Sequence, residues 1–149
     1  MIAVEGTIDI GRSAEDVFAY VGDQTNAPGW QRGLLDVRRT TADPIGVGTR
    51  HDAVREFMGR RLTLSNEYTR YEPNAVVAFK WSGTIPGQAS YIIEPAGMDS
   101  ARVTSRIEMR AAGILRLAEP LMAAGLKRDV EGNLRALKSV LEAKVLTGL

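Results

Sequence analysis

The chain contains no cysteine, which excludes disulfide cross-links, a thiolate nucleophile and Cys-ligated metal. It has a single histidine, His51, and its carboxylates are spread along strand edges and one helix face, without the clustering a metal centre needs. No metal and no cofactor is expected. Charge of one sign is lacking too: 19 Lys and Arg face 18 Asp and Glu, a net +1. That balance gives no electrostatic basis for binding nucleic acid. No apolar stretch reaches ~18 residues, and Met1-Ile2-Ala3-Val4-Glu5 opens no basic segment followed by an apolar run. These absences predict a soluble, cytoplasmic protein without stable membrane insertion. There is no G-x-S-x-G elbow for a hydrolase triad, and Gly46-Val47-Gly48 lacks the following helix of a phosphate loop.

What is present fits one globular domain over residues 1–149, 44% hydrophobic and 25% charged, with a single core. Ile2, Val4, Thr7, Ile8 and Ile10 form an opening strand that stops at Gly11. Ser13 with Asp16 reads as an N-cap, and Val17, Phe18 and Val21 as the apolar stripe of a short helix. The turn formers from Asp23 to Trp30 hold a second helical turn. Strands follow at Leu34 to Thr41, Thr49 to Phe57, Arg61 to Tyr71, Val76 to Trp81, Ala89 to Glu94 and Arg102 to Met109. A hairpin turns at Met58-Gly59, and a loop spans Pro95 to Ser100. The connections are too short for crossovers, so the sheet of about seven strands is mostly antiparallel. Arg38-Arg39 and Arg60-Arg61 are read as solvated pairs.

One long amphipathic helix runs from about Glu119 to Lys144. At ~25 residues it is ~38 Å long, enough to cross a small sheet. Met122, Leu126, Val130, Leu134, Leu137 and Leu141 share one stripe, with charges opposite. Pro120 belongs in a first helical turn, so Ile114 to Ala118 is either a separate turn or lies across a bend. Ala118, Gly125, Gly132 and Ala136 project in nearly one direction. Two helical glycines cost ~1 kcal/mol each relative to alanine, so this flank either lets a strand approach closely or leaves volume for a ligand. Asn133 also points into the stripe, where a buried amide needs partners.

The stretches Ile8-Asp9-Ile10 with Ser13-Ala14-Glu15-Asp16-Val17-Phe18-Ala19-Tyr20-Val21, Pro28-Gly29-Trp30, Val47-Gly48-Thr49-Arg50, Tyr71-Glu72-Pro73 and Ile93-Glu94-Pro95-Ala96-Gly97, in that order, resemble the START-like (SRPBCC) superfamily. The resemblance is specifically to its polyketide cyclase/dehydrase-like branch and spans essentially the whole chain. It implies an α+β helix-grip (START/Bet v 1-like) fold: a curved antiparallel sheet around a long C-terminal helix, with two short helices after the first strand. It also implies a pocket between sheet and helix for an apolar ligand. Lipid carriers, plant hormone receptors and aromatase/cyclases share this fold, so it does not by itself establish catalysis.

Period-two alternation turns Leu62, Leu64, Asn66 and Tyr68 to the concave side, with Val77, Phe79 and Trp81, then Tyr91 and Ile93, then Val103, Ser105, Ile107 and Met109. The expected ligand contacts are Trp30, Leu64, Asn66, Tyr68, Phe79, Trp81, Tyr91, Ile93, Ser105 and Met109, facing Met122, Leu126 and Asn133. The face of His51 is left open by its mixed neighbours Thr49, Ala53, Arg55 and Phe57. The leading reading is a carrier or sensor-like protein binding a small hydrophobic or aromatic molecule. An alternative is a cyclase/dehydrase-like enzyme using Tyr68, Tyr91, Asn66 and His51 as proton donors and acceptors. A third is an interaction module with a vestigial cavity, a homodimer included.

Overall fold

A computed structural model describes residues 1–57, 59–83 and 85–146. The strands are β1 (Ile2–Ile10), β2 (Leu34–Arg39), β3 (Arg50–Phe57), β4 (Arg60–Glu72), β5 (Val76–Trp81), β6 (Gly87–Gly97) and β7 (Ser100–Met109). They form one curved antiparallel sheet in the order β1-β7-β6-β5-β4-β3-β2. Register shifts at Leu34/Asp36, Tyr68/Arg70 and Pro95/Gly97 bend it, since a bulge adds twist to the strand that carries it. The expected loop from Pro95 to Ser100 is smaller than its composition suggests. The ladder to β7 continues through Pro95↔Ala101 to Gly97↔Ser100, and Pro95 sits at the bulge, where a missing N–H costs least. Gly59 takes φ 75°, as the hairpin requires; its neighbour at 58 lies outside the described residues.

Helix α1 (Ala14–Val21) is capped by Ser13, whose Oγ accepts from the Asp16 amide at 3.1 Å, and it buries Val17, Phe18 and Val21. The second turn is a 3-10 helix, Gln24–Gly29, and another, Gly113–Ala118, precedes α2 (Glu119–Leu146). The long helix runs alongside β1 in the same direction. Glu119 meets the Met1 amino group at 3.0 Å, Lys127 Nζ donates to the Glu5 carbonyl, Lys138 Nζ donates to the Asp9 carbonyl at 2.9 Å, and Glu142 accepts from the Gly11 amide at 2.8 Å. On its other flank, Asn133 Oδ1 accepts from the Arg32 amide at 3.0 Å. The helix therefore ties β1, one edge of the sheet, to the loop that leads into β2, the other edge.

The close approach of helix to sheet is made by β1, not by the glycines of α2. A Cβ on Gly6 would fall 2.9 Å from Val130 Cγ1 and 3.2 Å from Leu134 Cδ1. One on Gly125 would meet nothing within 4 Å, and one on Gly132 only the Arg135 guanidinium at 3.8 Å. The small-residue flank of the helix thus faces open space at Gly125. Gly125→Ala should accordingly stabilise the protein by up to ~1 kcal/mol, read as a rise in the urea midpoint at constant m; a loss of stability would show that the glycine has a packing role.

Candidate functional site

Cross-strand register sorts the concave face into rows, and burial along them is uneven. At one end Ile10, Ala101, Val103 and Ile93 pack with Val17, Phe18, Leu137 and Leu141 into a filled core. Towards the N-terminal half of α2 the same face opens. Leu64, Asn66, Trp81, Ile107 and Met109 all turn inward yet remain partly exposed, as do Met122 and Leu126 opposite them. A shallow depression of about 230 Å³ at the end of the β6–β7 hairpin, lined by Met1, Pro86, Gly87, Gln88, Glu108, Met109 and Arg110, shares only Met109 with these residues. The sheet and helix therefore enclose core at one end and a groove at the other. Phe79 sits between the two, its ring 6.3 Å from Tyr68, 6.1 Å from Trp81 and 6.2 Å from Tyr91.

Two sets of polar groups interrupt this apolar surface. In the first, Arg39, His51 and Asn66 are register partners across β2, β3 and β4. His51 is 0% exposed, and neither ring nitrogen has a hydrogen-bond partner; Asn66 Oδ1 and Arg39 Nε are likewise unpartnered. Burial, then the Arg39 charge, holds His51 below the usual histidine range; Asn66 and Asp23 oppose that shift, Asn66 from outside hydrogen-bonding geometry. Arg39 is not a solvated strand-edge charge as its place in a basic pair suggests, but bridges Asp23 at 2.9 Å and Asp43 at 2.5 Å. Tyr68, also 0% exposed, lies 5.2 Å from the His51 ring. Its hydroxyl donates to the Gly22 carbonyl at 2.8 Å and accepts from the Gln24 amide at 3.1 Å.

The lowered His51 pKa has a definite sign. Below about 6.5 the unfolded chain takes up a proton on this side chain that the folded chain resists, so stability falls as pH drops through that value and levels off once the folded pKa is passed. Because His51 is the only histidine, His51→Phe should flatten the pH dependence of the urea midpoint just below about pH 6.5. An unchanged slope would mean that the imidazole is hydrated in solution.

The second set links β3, β6 and the loop before β2. Arg55 Nη2 donates to Gln31 Oε1 and Arg55 Nη1 to the Arg32 carbonyl, both at 3.3 Å, while Gln31 Nε2 donates to the Tyr91 hydroxyl at 3.0 Å. Burial pushes the Tyr91 phenol up to about 12, so it is neutral and available as a proton donor across the physiological range. Trp30 packs edge-on against Tyr91, 5.5 Å between ring centres, with its indole Nε1 buried and unpartnered.

A family model described as "Polyketide cyclase / dehydrase and lipid transport" matches residues 1–142. The chain belongs to that family. Solved structures share the fold of this chain at low identity. The di-domain ARO/CYC BexL aligns with TM-score 0.80 and 18% identity, over 97% of this chain and 48% of its own. The Zhui aromatase/cyclase from Streptomyces aligns with TM-score 0.78 and 16% identity, over 96% and 94%. A START superfamily protein from Mycobacterium smegmatis aligns with TM-score 0.75 and 16% identity, over 96% and 99%. The chain spans about half the length of BexL. A search of curated proteins finds no match.

Within this family member, the residues singled out from sequence fall in three places. Leu64, Asn66, Trp81, Met109, Met122 and Leu126 border the groove; Tyr68, Phe79, Tyr91, Ser105 and Trp30 form its buried floor; Ile93 lies in the filled core. Trp81 Nε1 donates to the Ile85 carbonyl at 3.0 Å, and the Asn133 carbonyl oxygen is occupied by Arg32. Sequence reasoning did not single out Gln31, Arg39 and Arg55 as site residues. Arg55 alternates with His51 and Ala53, so the buried face of either would have turned it inward. Among the described residues no group of three or more His, Cys, Asp or Glu is placed to hold a metal, and no helix is long and apolar enough to cross a membrane. Outside the groove, Ile114, Leu117 and Leu121 are at least 80% exposed.

Proposed function

We infer that the protein binds a small, mostly apolar molecule in the groove between the sheet and the N-terminal half of α2, as a carrier or sensor. One observation carries this reading: the inward-facing apolar side chains that remain open to solvent gather towards the N-terminal half of α2. Around them, polar atoms of His51, Asn66 and Trp30 lack protein partners, as the few orienting groups of a ligand site would. The cysteine-free composition suits a reducing compartment, and we place the protein in the cytoplasm. The test is a titration with the neutral fluorophore N-phenyl-1-naphthylamine. Wild type should bind it, and Leu126→Asp should weaken binding about tenfold or more by placing a charge on the apolar wall. Equal binding by both would move the ligand elsewhere.

A cyclase/dehydrase-like activity is the second reading, favoured by the neutral, unpartnered His51 and by the protonated Tyr91 on the same concave side. In it, His51 removes a proton next to a carbonyl and Tyr91 donates to the developing oxyanion. His51→Gln and Tyr91→Phe should each lower turnover of a poly-β-ketone substrate at least about a hundredfold; unchanged turnover in both rejects the enzyme.

A further inference from the structure

Of the two arginines on the concave side, Arg39 is neutralised by Asp23 and Asp43, and Arg55 is not. Its two protein acceptors are neutral oxygens at 3.3 Å, and among the described residues no carboxylate reaches ion-pair distance. The exposed Asp129 of α2 acts on Arg55 only through space. Yet the guanidinium is half-buried, and its β-ladder neighbours are Leu34 and Leu62. A charge in such a setting is normally paired, and a guanidinium has five N–H donors, so three remain uncommitted.

We propose that Arg55 is the anchor for a carboxylate, and that the ligand of the groove is a long-chain or polycyclic carboxylic acid. This rests on the groove being the binding site. Bidentate pairing of a planar guanidinium with a planar carboxylate uses the donors that the protein leaves free. Gln31 accepts from the guanidinium and is itself braced by the Tyr91 hydroxyl. From Arg55 on β3 to Met109 on β7 are four strand spacings, roughly 19 Å along the sheet at ~4.8 Å each, which is room for an extended apolar body beyond the acid group.

The experiment is displacement of N-phenyl-1-naphthylamine by hexadecanoic acid and, separately, by its methyl ester. Wild type should prefer the acid about tenfold or more, the worth of one charge-assisted pair, and raising salt from about 50 to 500 mM should weaken the acid but not the ester. Arg55→Gln should bring the two ligands level, each measured against that variant's own affinity for the fluorophore, and Arg55→Lys should keep part of the preference. Equal displacement by acid and ester in wild type overturns the carboxylate anchor and leaves the groove reading standing. So does a preference that survives Arg55→Gln. If wild type binds neither fluorophore nor acid, the groove reading fails and the anchor with it. Should Arg55→Gln lack a cooperative melt, the wild-type ratio and Arg55→Lys decide.

Discussion

Tyr68→Phe should cost roughly 2–5 kcal/mol of folding stability, although it removes one oxygen atom. The hydroxyl is the partner of two backbone groups at once, donating to the Gly22 carbonyl and accepting from the Gln24 amide. Phenylalanine would keep the ring in its place beside His51 and Phe79 while leaving both backbone groups unsatisfied in a site closed to water. Each such orphan costs about 1–3 kcal/mol. The expected signature in urea is a lower midpoint with an unchanged m. A loss under about 1 kcal/mol would show that water enters the vacated space and replaces the oxygen. The same bonds tie the α1 end to the middle of the sheet, so hydrogen exchange at the Gln24 amide should report the change locally.

The second large effect is expected where helix meets strand. Leu134→Ala should cost about 2–5 kcal/mol, because it empties a site that is almost fully buried against β1. Gly6→Ala should cost about 1–3 kcal/mol for the opposite reason, since its new methyl overlaps Val130 and Leu134. The informative measurement is the double variant. If the two side chains compete for the same space, Gly6→Ala with Leu134→Ala should lose at least about 1 kcal/mol less than the sum of the singles. Strict additivity would mean that the helix relieves the overlap by moving away as a body.

These two cases mark what was legible in the amino-acid order. The stripe from Met122 to Leu141 repeats every three or four residues, so the helix and its buried side could be read locally, and alternation placed Leu64, Asn66 and Tyr68 on one face for the same reason. Gly6 could not be read that way: its role is set by Val130 and Leu134, more than a hundred residues on. Gly125 and Gly132 look more significant in sequence because they are spaced by helical turns, but a glycine beside solvent has the same spacing as one beside a strand. The face of His51 is not decided by its neighbours, since Thr49, Ala53, Arg55 and Phe57 show no apolar alternation. The reason is now visible: that face of β3 carries the buried polar row and the Arg55 cluster, where function departs from simple patterning. Gln31 sits in a loop that has no period, and its link to Arg55 and Tyr91 exists only once β3 and β6 are in place.

The lysines and glutamate that α2 sets along β1 bear on how the chain avoids assembling with itself. Their partners, the Glu5 and Asp9 carbonyls and the Gly11 amide, are backbone groups beside an outermost strand, a row to which a strand from another molecule would otherwise add. While a chain is being folded, that row stays available until the final helix has docked. Hydrogen bonds made by charged side chains respond to salt and to acid, so the same helix that shapes the groove also makes resistance to intermolecular strand pairing depend on solution conditions. High salt, or protonation of Glu142, would loosen the contacts along β1 before it disturbed the apolar core beneath Leu137 and Leu141.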